Sequence, residues 1–429
     1  WTAPFHIPGP SRRQGLCRMK LIATILLSVA QVSFAWSPAG LSLPRNNFPA
    51  GFKTHALGLR PQLSVNGFLK SSRTLREFSC TMTGTEVAAE TTKADPKKGV
   101  MMAKPIGIGC ATPATVISNK DMEGIVETTD EWIMTRTGIG SRRVLDGSET
   151  LRDLQVRAAK QAIEASGVAP EDIGVVIVAT SSPDDLFGDA PFVAANIGAK
   201  EAFAFDLTAA CSGFLFATVT AAQFLNSGTY KNALVVGADA LSRWVDWTDR
   251  NSCVLFGDAA GAMVLTATET KEEGGVLGFQ LHSDGSGYQC LKLAYAGEAQ
   301  KIGDKHTAMK GGYDPITMTG KDVYKFATRE VPRVLEEALA NANVKAEDVD
   351  WLLLHQANIR IMEVVANRLG IPMDKVLRNL DEYGNTSAAS IPLALAEAIA
   401  SGKVKKGDVI ATAGFGAGLS WGATVLKWG

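Results

Sequence analysis

Long apolar runs alternate with amphipathic stretches from about residue 100 onward, and one such block occurs twice. Residues 162–182 read AIEASGVAPEDIGVVIVATSS and residues 338–358 read ALANANVKAEDVDWLLLHQAN, so the blocks align without a gap. Each block predicts the end of a helix, a turn around Glu-Asp and a strand of consecutive apolar residues. Such strands are typical of a sheet that is covered on both faces.

A second pair of matching blocks follows in the same order. Residues 211–228 read CSGFLFATVTAAQFLNSG and residues 385–402 read NTSAASIPLALAEAIASG. Each block begins with a small polar residue, continues as an apolar helix and ends at Ser-Gly, which is a glycine stop signal. The two ordered matches predict two duplicated α/β halves related by a pseudo-twofold axis, with the central helices between sheets. On this alignment Cys211 and Asn385 occupy equivalent positions at the starts of buried helices.

The first hundred residues differ in composition and predict targeting segments. Met19 is followed by Lys20, an apolar run over residues 21–32 and the small residues SFA near Ala35, which is the pattern of a secretory signal peptide. Residues 36–76 carry Arg, Lys, Ser, Pro and Gly without any acidic residue, as transit peptides do. We expect this two-part leader to direct the protein to the plastid (chloroplast) stroma. A disordered tail on a secreted protein is the alternative.

These features divide the chain into four predicted regions. Residues 1–35 are interpreted as upstream read-through plus a signal peptide, and residues 36–100 as a transit peptide and disordered linker. Residues 101–275 form the predicted N-terminal half with the cysteine. Residues 276–429 form the predicted C-terminal half with the histidine and asparagine.

Charge and cysteine usage exclude several classes of function. The chain has 43 Lys and Arg against 44 Asp and Glu, so no strong field attracts nucleic acid or an anionic membrane. Its six cysteines show no CxxC spacing, and its five histidines show no HExxH motif, which argues against a zinc site. No phosphate-binding loop or dinucleotide fingerprint is present. We interpret Cys110, Cys253 and Cys290 as small apolar residues in a reduced compartment.

Cys211, His355 and Asn385 are the candidate catalytic residues. Cys211 lies in AACSG at a predicted helix start, where the helix dipole and free N–H groups are expected to lower the pKa of the thiol. His355 follows the apolar strand DVDWLLL, at the end where ligands bind open α/β sheets. Imidazole and carboxamide groups donate hydrogen bonds to a developing oxyanion. The glycine-rich residues 414–418, GFGAG, allow the backbone to approach a ligand closely.

Each of these residues also has a purely structural interpretation. Cys211 can be a small core residue, His355 can cap neighbouring backbone groups, and Asn385 is a natural helix N-cap. The residues alone leave both interpretations open.

Six stretches of the chain resemble the motifs of the beta-ketoacyl-acyl-carrier-protein synthase III family, over about residues 104–429. They are DLTAACSGF, HQAN, GNTSAASIP, TTDEWIMTRTGI, DRNSCVLFGDAAGAMVL and GFGAGLSWG. The resemblance implies a thiolase-like α/β fold with a layered α-β-α-β-α arrangement, and a homodimer. One departure is Tyr383, where many bacterial members have histidine.

The resemblance implies a decarboxylating condensation of acetyl-CoA with malonyl-acyl-carrier-protein, without a metal or a redox cofactor. Cys211 would accept the acetyl group, and His355 and Asn385 would stabilise the enolate. The N–H groups of Cys211 and Ala417 would form the oxyanion hole.

The resemblance also implies binding residues. Those for coenzyme A are Thr128, Trp132, Arg136, Arg250 and Asn358; those of the acyl pocket are Phe187, Phe256 and Phe415; those that dock the carrier protein are Arg360 and Lys325. Phe187 is expected to reach across the dimer and shorten the pocket.

Three rival functions share some of these features. A papain-like thioester hydrolase has Cys, His and Asn in the same chain order. The residues around its cysteine, however, read CGSCW or similar, and its fold does not consist of two duplicated halves. A polyketide synthase shares the fold and the catalytic residues but requires a roomier pocket. A catalytically silent binding protein would not need all three residues.

Overall fold

Two five-stranded sheets with the same topology form the body of the protein, whose computed structural model describes residues 102–270 and 274–429. The first sheet consists, in spatial order, of β1 (Met102–Ala111), β7 (Ala259–Thr268), β6 (Asn232–Asp239), β4 (Val175–Ala179) and β5 (Phe203–Leu207). The second consists of β8 (Gly275–Ser283), β16 (Ser420–Lys427), β15 (Val409–Gly416), β13 (Trp351–Leu354) and β14 (Val376–Leu377). The predicted targeting segments in residues 1–100 lie outside the described residues.

Strand pairing is the same in the two sheets. In the first sheet β4 pairs in parallel with β5 and β6, whereas β7 pairs antiparallel with β6 and β1. In the second sheet β13 pairs in parallel with β14 and β15, whereas β16 pairs antiparallel with β15 and β8. The duplication predicted from the sequence is therefore present in the topology. The exact boundary at residues 275 and 276 stays a prediction.

Nine helices in the described part of the chain complete the layers. They are α1 (Asn119–Met122), α2 (Asp130–Thr137), α3 (Leu151–Ser166), α4 (Ala190–Ile197), α5 (Gly213–Asn226), α6 (Gly320–Ala342), α7 (Ile359–Leu369), α8 (Leu380–Tyr383) and α9 (Ser390–Ala400). Helices α5 and α9 contact both sheets, α3 and α4 cover the outer face of the first sheet, and α6 and α7 cover that of the second. This is the predicted α-β-α-β-α order. None of these helices has the length and apolar character needed to cross a membrane.

Three two-stranded ribbons decorate the layers. They pair β2 (Val116–Ser118) with β3 (Ser141–Arg143), β9 (Leu291–Lys292) with β12 (Thr317–Met318), and β10 (Glu298–Ile302) with β11 (His306–Lys310).

Strand β4 shows why the apolar runs do not alternate with polar residues. Ile177 points into the middle layer, where it joins a cluster with Phe214 of α5 and Leu395 of α9. Val176 points the other way and joins a cluster with Leu154 of α3. Both faces of the strand are buried, so every position favours an apolar side chain.

The two halves match at the starts of their central helices, and this corrects the sequence alignment. A 3-10 turn precedes each helix, Ala210–Ser212 before α5 and Ser387–Ala389 before α9, and its first residue has a positive φ of 48° or 50°. Cys211 is therefore equivalent to Ala388, and the prediction that pairs it with Asn385 is wrong. Because α5 has 14 residues and α9 has 11, an alignment of their Ser-Gly ends misplaces their starts by about one helical turn.

Close contact between β1 and α3 depends on glycine, and this gives a test of the packing. A Cβ atom on Gly109 would lie 2.4 Å from the carbonyl oxygen of Ala158. Gly109→Ala should therefore push α3 off the sheet and lower the free energy of unfolding by about 1–3 kcal/mol, measured by chemical denaturation. Gly285→Ala is the control, since no atom lies within 4 Å of its added Cβ. Equal losses of stability in both variants would contradict this packing.

Candidate active site

The sulfur of Cys211 lies where three elements meet. Cys211 is in the 3-10 turn before α5, and its side chain is buried. The hydroxyl of Ser387 donates a hydrogen bond to its sulfur at 3.3 Å. The end of β15 approaches from the second sheet so closely that a Cβ atom on Gly416 would lie 2.6 Å from the Cys211 nitrogen. The nucleophile candidate is thus held by both halves of the protein.

Burial determines the protonation of the Cys211 thiol. Loss of hydration raises the pKa of the thiol to about 12. The negative charge of Asp239 also raises this pKa, whereas the hydrogen bond from Ser387 lowers it. The backbone N–H at the start of the helix lowers this pKa, as expected, but burial outweighs its effect. The thiol is protonated at neutral pH, and its proton leaves during the reaction.

Asn385 opens a short stretch, residues 385–390, that we call the 385–390 segment. The Asn385 side-chain oxygen accepts a hydrogen bond from the backbone N–H of Ser387 at 2.9 Å, so the capping role is present. The side-chain nitrogen of Asn385 has no hydrogen-bond partner among the described residues, and the residue is buried. Asn385 therefore holds its segment with one atom and keeps a donor for a ligand.

His355 is held at the end of β13 by backbone and side-chain contacts. Its backbone N–H donates to the carbonyl of Ala413 on β15 at 2.8 Å. Its Nδ1 lies 2.7 Å from the hydroxyl of Ser390, and its ring lies 5.4 Å from the ring of Phe415. Burial lowers the pKa of the imidazole to about 3, so the ring is neutral at physiological pH.

The 385–390 segment connects the three candidates. It contributes Asn385 itself, its Ser387 contacts Cys211, and its Ser390 contacts His355. The structure thus brings the Cys, His and Asn motifs of both halves to one place. The two serines are functional candidates that the sequence analysis missed, because serine near a helix start is usually a cap.

A buried carboxylate fixes the middle of this segment. Asp239, at the end of β6, accepts hydrogen bonds from the backbone N–H groups of Ser181 and Ala388 and from the hydroxyl of Ser182. Burial raises the pKa of its carboxyl group, and the hydrogen bonds act in the opposite direction. Asp239 therefore ties the first sheet to the 385–390 segment. Its position at a strand end was the only sequence signal for this role.

Two residues expected to supply backbone donors, Cys211 and Ala417, line the same cavity. The N–H group of Ala417 donates to no acceptor within the part of the chain that the structure describes, and that of Cys211 interacts with its own sulfur. The oxyanion hole expected from these two groups stays a prediction.

The cavity that reaches Cys211 has a volume of about 940 Å³. Phe187 and Phe256 line it, and the side chain of Phe187 is 100% exposed within a single protomer. Phe415, also expected in the acyl pocket, packs against His355 and is not part of this wall. An acyl group bound to the sulfur would extend into a mainly apolar space.

The residues expected to bind coenzyme A cluster around α2. The guanidinium carbons of Arg136 and Arg250 lie 4.5 and 5.0 Å from the ring centroid of Trp132. The hydroxyl oxygen of Thr128 is buried without a partner, and the side chain of Asn358 donates to the carbonyl of Arg136 at 2.9 Å. A flat ring with stacked cations and a free polar atom suits a nucleotide base.

The two expected docking cations are exposed on the second half. Arg360, at the start of α7, donates to the carbonyl of Thr135 on α2 at 2.7 Å, next to the Trp132 cluster. Lys325 lies on α6.

Tyr383, which replaces the histidine of many bacterial members, donates a hydrogen bond from its hydroxyl to Glu397 of α9 at 2.5 Å. No group of three or more His, Cys, Asp or Glu residues suited to a metal ion occurs in the described ranges.

Comparisons with known proteins agree with these observations. The family described as 3-oxoacyl-[acyl-carrier-protein (ACP)] synthase III matches residues 205–285, and its C-terminal family matches residues 339–428. A beta-ketoacyl-[acyl-carrier-protein] synthase III from Microcystis aeruginosa is 58% identical over 323 residues, which are 75% of this chain and 96% of that protein.

Solved structures lead to the same family. The 3-oxoacyl-[acyl-carrier-protein] synthase III from Aquifex aeolicus is 43% identical with a TM-score of 0.69, over 76% of this chain and all of that one. The priming beta-ketosynthase of the R1128 polyketide biosynthetic pathway is 33% identical with a TM-score of 0.69, over 77% of this chain and 97% of that one. Because 58% of the 323 aligned residues are identical to a relative of which it covers 96%, the chain belongs to the beta-ketoacyl-[acyl-carrier-protein] synthase III family.

Proposed function

We propose that this protein condenses an acetyl group from acetyl-CoA with malonyl-acyl-carrier-protein, releasing carbon dioxide and forming acetoacetyl-acyl-carrier-protein. This reaction would initiate type II fatty acid synthesis, in which separate enzymes catalyse the individual steps. The observation that carries the proposal is the 385–390 segment, which contacts the Cys211 thiol and the His355 imidazole and itself supplies the free Asn385 amide.

The first step is transfer of the acetyl group. The Cys211 sulfur attacks the thioester carbonyl of acetyl-CoA, and the negative oxygen of the tetrahedral intermediate is stabilised by the N–H groups of Cys211 and Ala417. The carbon–sulfur bond to coenzyme A breaks, and the departing sulfur takes up the proton that the thiol loses. Because the thiol starts out protonated, this step needs no stable thiolate in the free protein.

The second step is decarboxylation and carbon–carbon bond formation. Malonyl-acyl-carrier-protein loses carbon dioxide, and the electrons of the broken bond form an enolate on its thioester. The neutral His355 and the Asn385 side-chain nitrogen are donors that stabilise the enolate oxygen. The enolate carbon attacks the acetyl group and returns the Cys211 sulfur to the thiol with a proton from solvent.

Substrate binding follows from the exposed clusters. The adenine of coenzyme A would stack in the Trp132 cluster, and the exposed Arg360 and Lys325 would attract an acidic carrier protein. The fully exposed Phe187 ring supports a homodimer in which it enters the partner's cavity and limits the acyl chain. The proposed reaction requires no metal or redox cofactor.

The leader supports a location in the plastid stroma. The predicted signal peptide and the transit-like segment without acidic residues precede the catalytic part, which is similar to a cyanobacterial enzyme. Sequencing the mature N-terminus tests this proposal: a start between residues 81 and 103 supports it, and a start at Met19 or Trp36 contradicts it.

Two rival reactions are distinguished by their products. A hydrolase would need His355 to deprotonate Cys211, but the neutral ring is paired with Ser390 and the sulfur with Ser387. Its main product from acetyl-CoA would be free acetate. A polyketide-priming enzyme, the function named for one similar solved structure, would label Cys211 with larger acyl groups than acetyl.

Asn385→Ala should separate the two chemical steps. Acetylation of Cys211 should continue, whereas malonyl decarboxylation should fall about 100- to 1,000-fold because one enolate donor is lost. Quenched-flow assays of coenzyme A release and of acetoacetyl-acyl-carrier-protein measure the two steps.

Two further variants control this test. Asn385→Asp keeps the oxygen that caps Ser387 but loses the donor, so it should show the same split. Asn196→Ala removes an exposed asparagine whose side chain donates to the carbonyl of Phe192, and it should leave both steps unchanged. Loss of both steps in Asn385→Asp would contradict the proposed role.

Trp132→Ala should weaken binding of acetyl-CoA without slowing the chemistry. We expect KM to rise about tenfold with kcat nearly unchanged, because stacking acts equally on substrate and transition state. Steady-state kinetics measure this, with Met134→Ala on the exposed side of the same helix as the control. An unchanged KM would rule out adenine stacking on Trp132.

A further inference from the structure

Ser390 is the first residue of α9 and is only 1% exposed. Its hydroxyl has one hydrogen-bond partner among the described residues, the Nδ1 atom of His355 at 2.7 Å. Two hydroxyls of α5, the equivalent helix of the first half, bond instead to a carbonyl four residues back: those of Thr218 and Thr220, at 2.8 and 2.7 Å. Ser390 makes no such bond. Its hydroxyl is directed to the imidazole instead.

Only one placement of the hydrogens gives both His355 and Ser390 a hydrogen-bond partner for every buried donor. A neutral imidazole carries one hydrogen, on either Nδ1 or Nε2. If Nδ1 carried it and donated to Ser390, the hydroxyl hydrogen of Ser390 would be buried with no acceptor, which is costly. If Ser390 donates to a bare Nδ1, both groups are satisfied. The hydrogen of the ring then lies on Nε2.

The other end of the ring has no protein partner. His355 Nε2 makes no hydrogen bond to any described residue, so its hydrogen remains available to a ligand. Phe415 packs against the ring, and β15 holds the backbone at His355. These contacts fix the position of the His355 ring, and the bond to Ser390 fixes which of its nitrogens carries the hydrogen.

We propose that Ser390 is a positioning residue that holds His355 as the Nε2–H tautomer, and so makes the imidazole a hydrogen-bond donor to the enolate oxygen of the malonyl substrate. The proposal rests on the proposed condensation and assigns one residue to its second step. It also means that His355 does not act as the base that deprotonates Cys211.

Nitrogen-15 NMR of the full chain with labelled histidine tests the tautomer directly. Protonated and bare ring nitrogens have well-separated resonances, and His355→Gln identifies the signals of His355 among the five histidines. We expect a bare Nδ1 and a protonated Nε2 in the wild-type protein. A protonated Nδ1 would overturn the proposal, whether or not the protein catalyses the condensation.

Ser390→Ala tests the consequence for catalysis. We expect the ratio of Nε2–H to Nδ1–H tautomers to fall about tenfold, the effect of one lost hydrogen bond. Decarboxylation of malonyl-acyl-carrier-protein should fall by up to the same factor, because its rate follows the fraction of the Nε2–H tautomer, while acetylation of Cys211 continues at its normal rate. A variant with an unchanged tautomer ratio, or with an unchanged rate of decarboxylation, overturns the role of Ser390.

Two variants complete the design. Ser390→Thr keeps a hydroxyl and should restore most of the decarboxylation and the wild-type tautomer; failure to restore either in a folded protein counts against the proposal. Ser401→Ala removes an exposed serine at the other end of α9 and should change neither quantity. Failure of the wild-type protein to form acetoacetyl-acyl-carrier-protein would instead refute the proposed function and leave the tautomer measurement standing.

Discussion

The contact of the 385–390 segment with Cys211 on one side and His355 on the other is the constraint on which the site depends. The cysteine belongs to the first half of the chain and the histidine to the second. They meet because α5 and α9 lie in the same middle layer and the segment before α9 runs between them. Asp239 anchors this segment to the first sheet through the N–H of Ala388. A change in the packing of the two sheets would therefore move the nucleophile and the donors relative to each other.

Burial gives the two titratable residues their properties. Cys211 and His355 are buried among residues of both halves, so their neutral forms are favoured before substrate binds. A neutral imidazole is a weak base but an effective donor, which suits stabilisation of an enolate better than activation of a thiol. The same low-polarity setting strengthens hydrogen bonds to any charge that develops during the reaction.

The sequence predicts the layers well because duplication and apolar runs are local signals that occur twice. It is wrong about the residue equivalent to Cys211, because the alignment relied on helix ends and α9 is shorter than α5. It does not predict the net rise of the thiol pKa, since the depth of burial depends on how the two sheets pack around the site. Ser387 and Ser390 carry no distinguishing signal in the sequence: their roles come from long-range contacts with Cys211 and His355.

The identity of the acylated residue is the most direct test of this account. Peptide mass spectrometry of the full chain after incubation with acetyl-CoA should find the acetyl group on Cys211, and addition of malonyl-acyl-carrier-protein should remove it as acetoacetyl-acyl-carrier-protein forms. Acetyl found on another cysteine, or released as free acetate with Cys211 never labelled, would contradict the account.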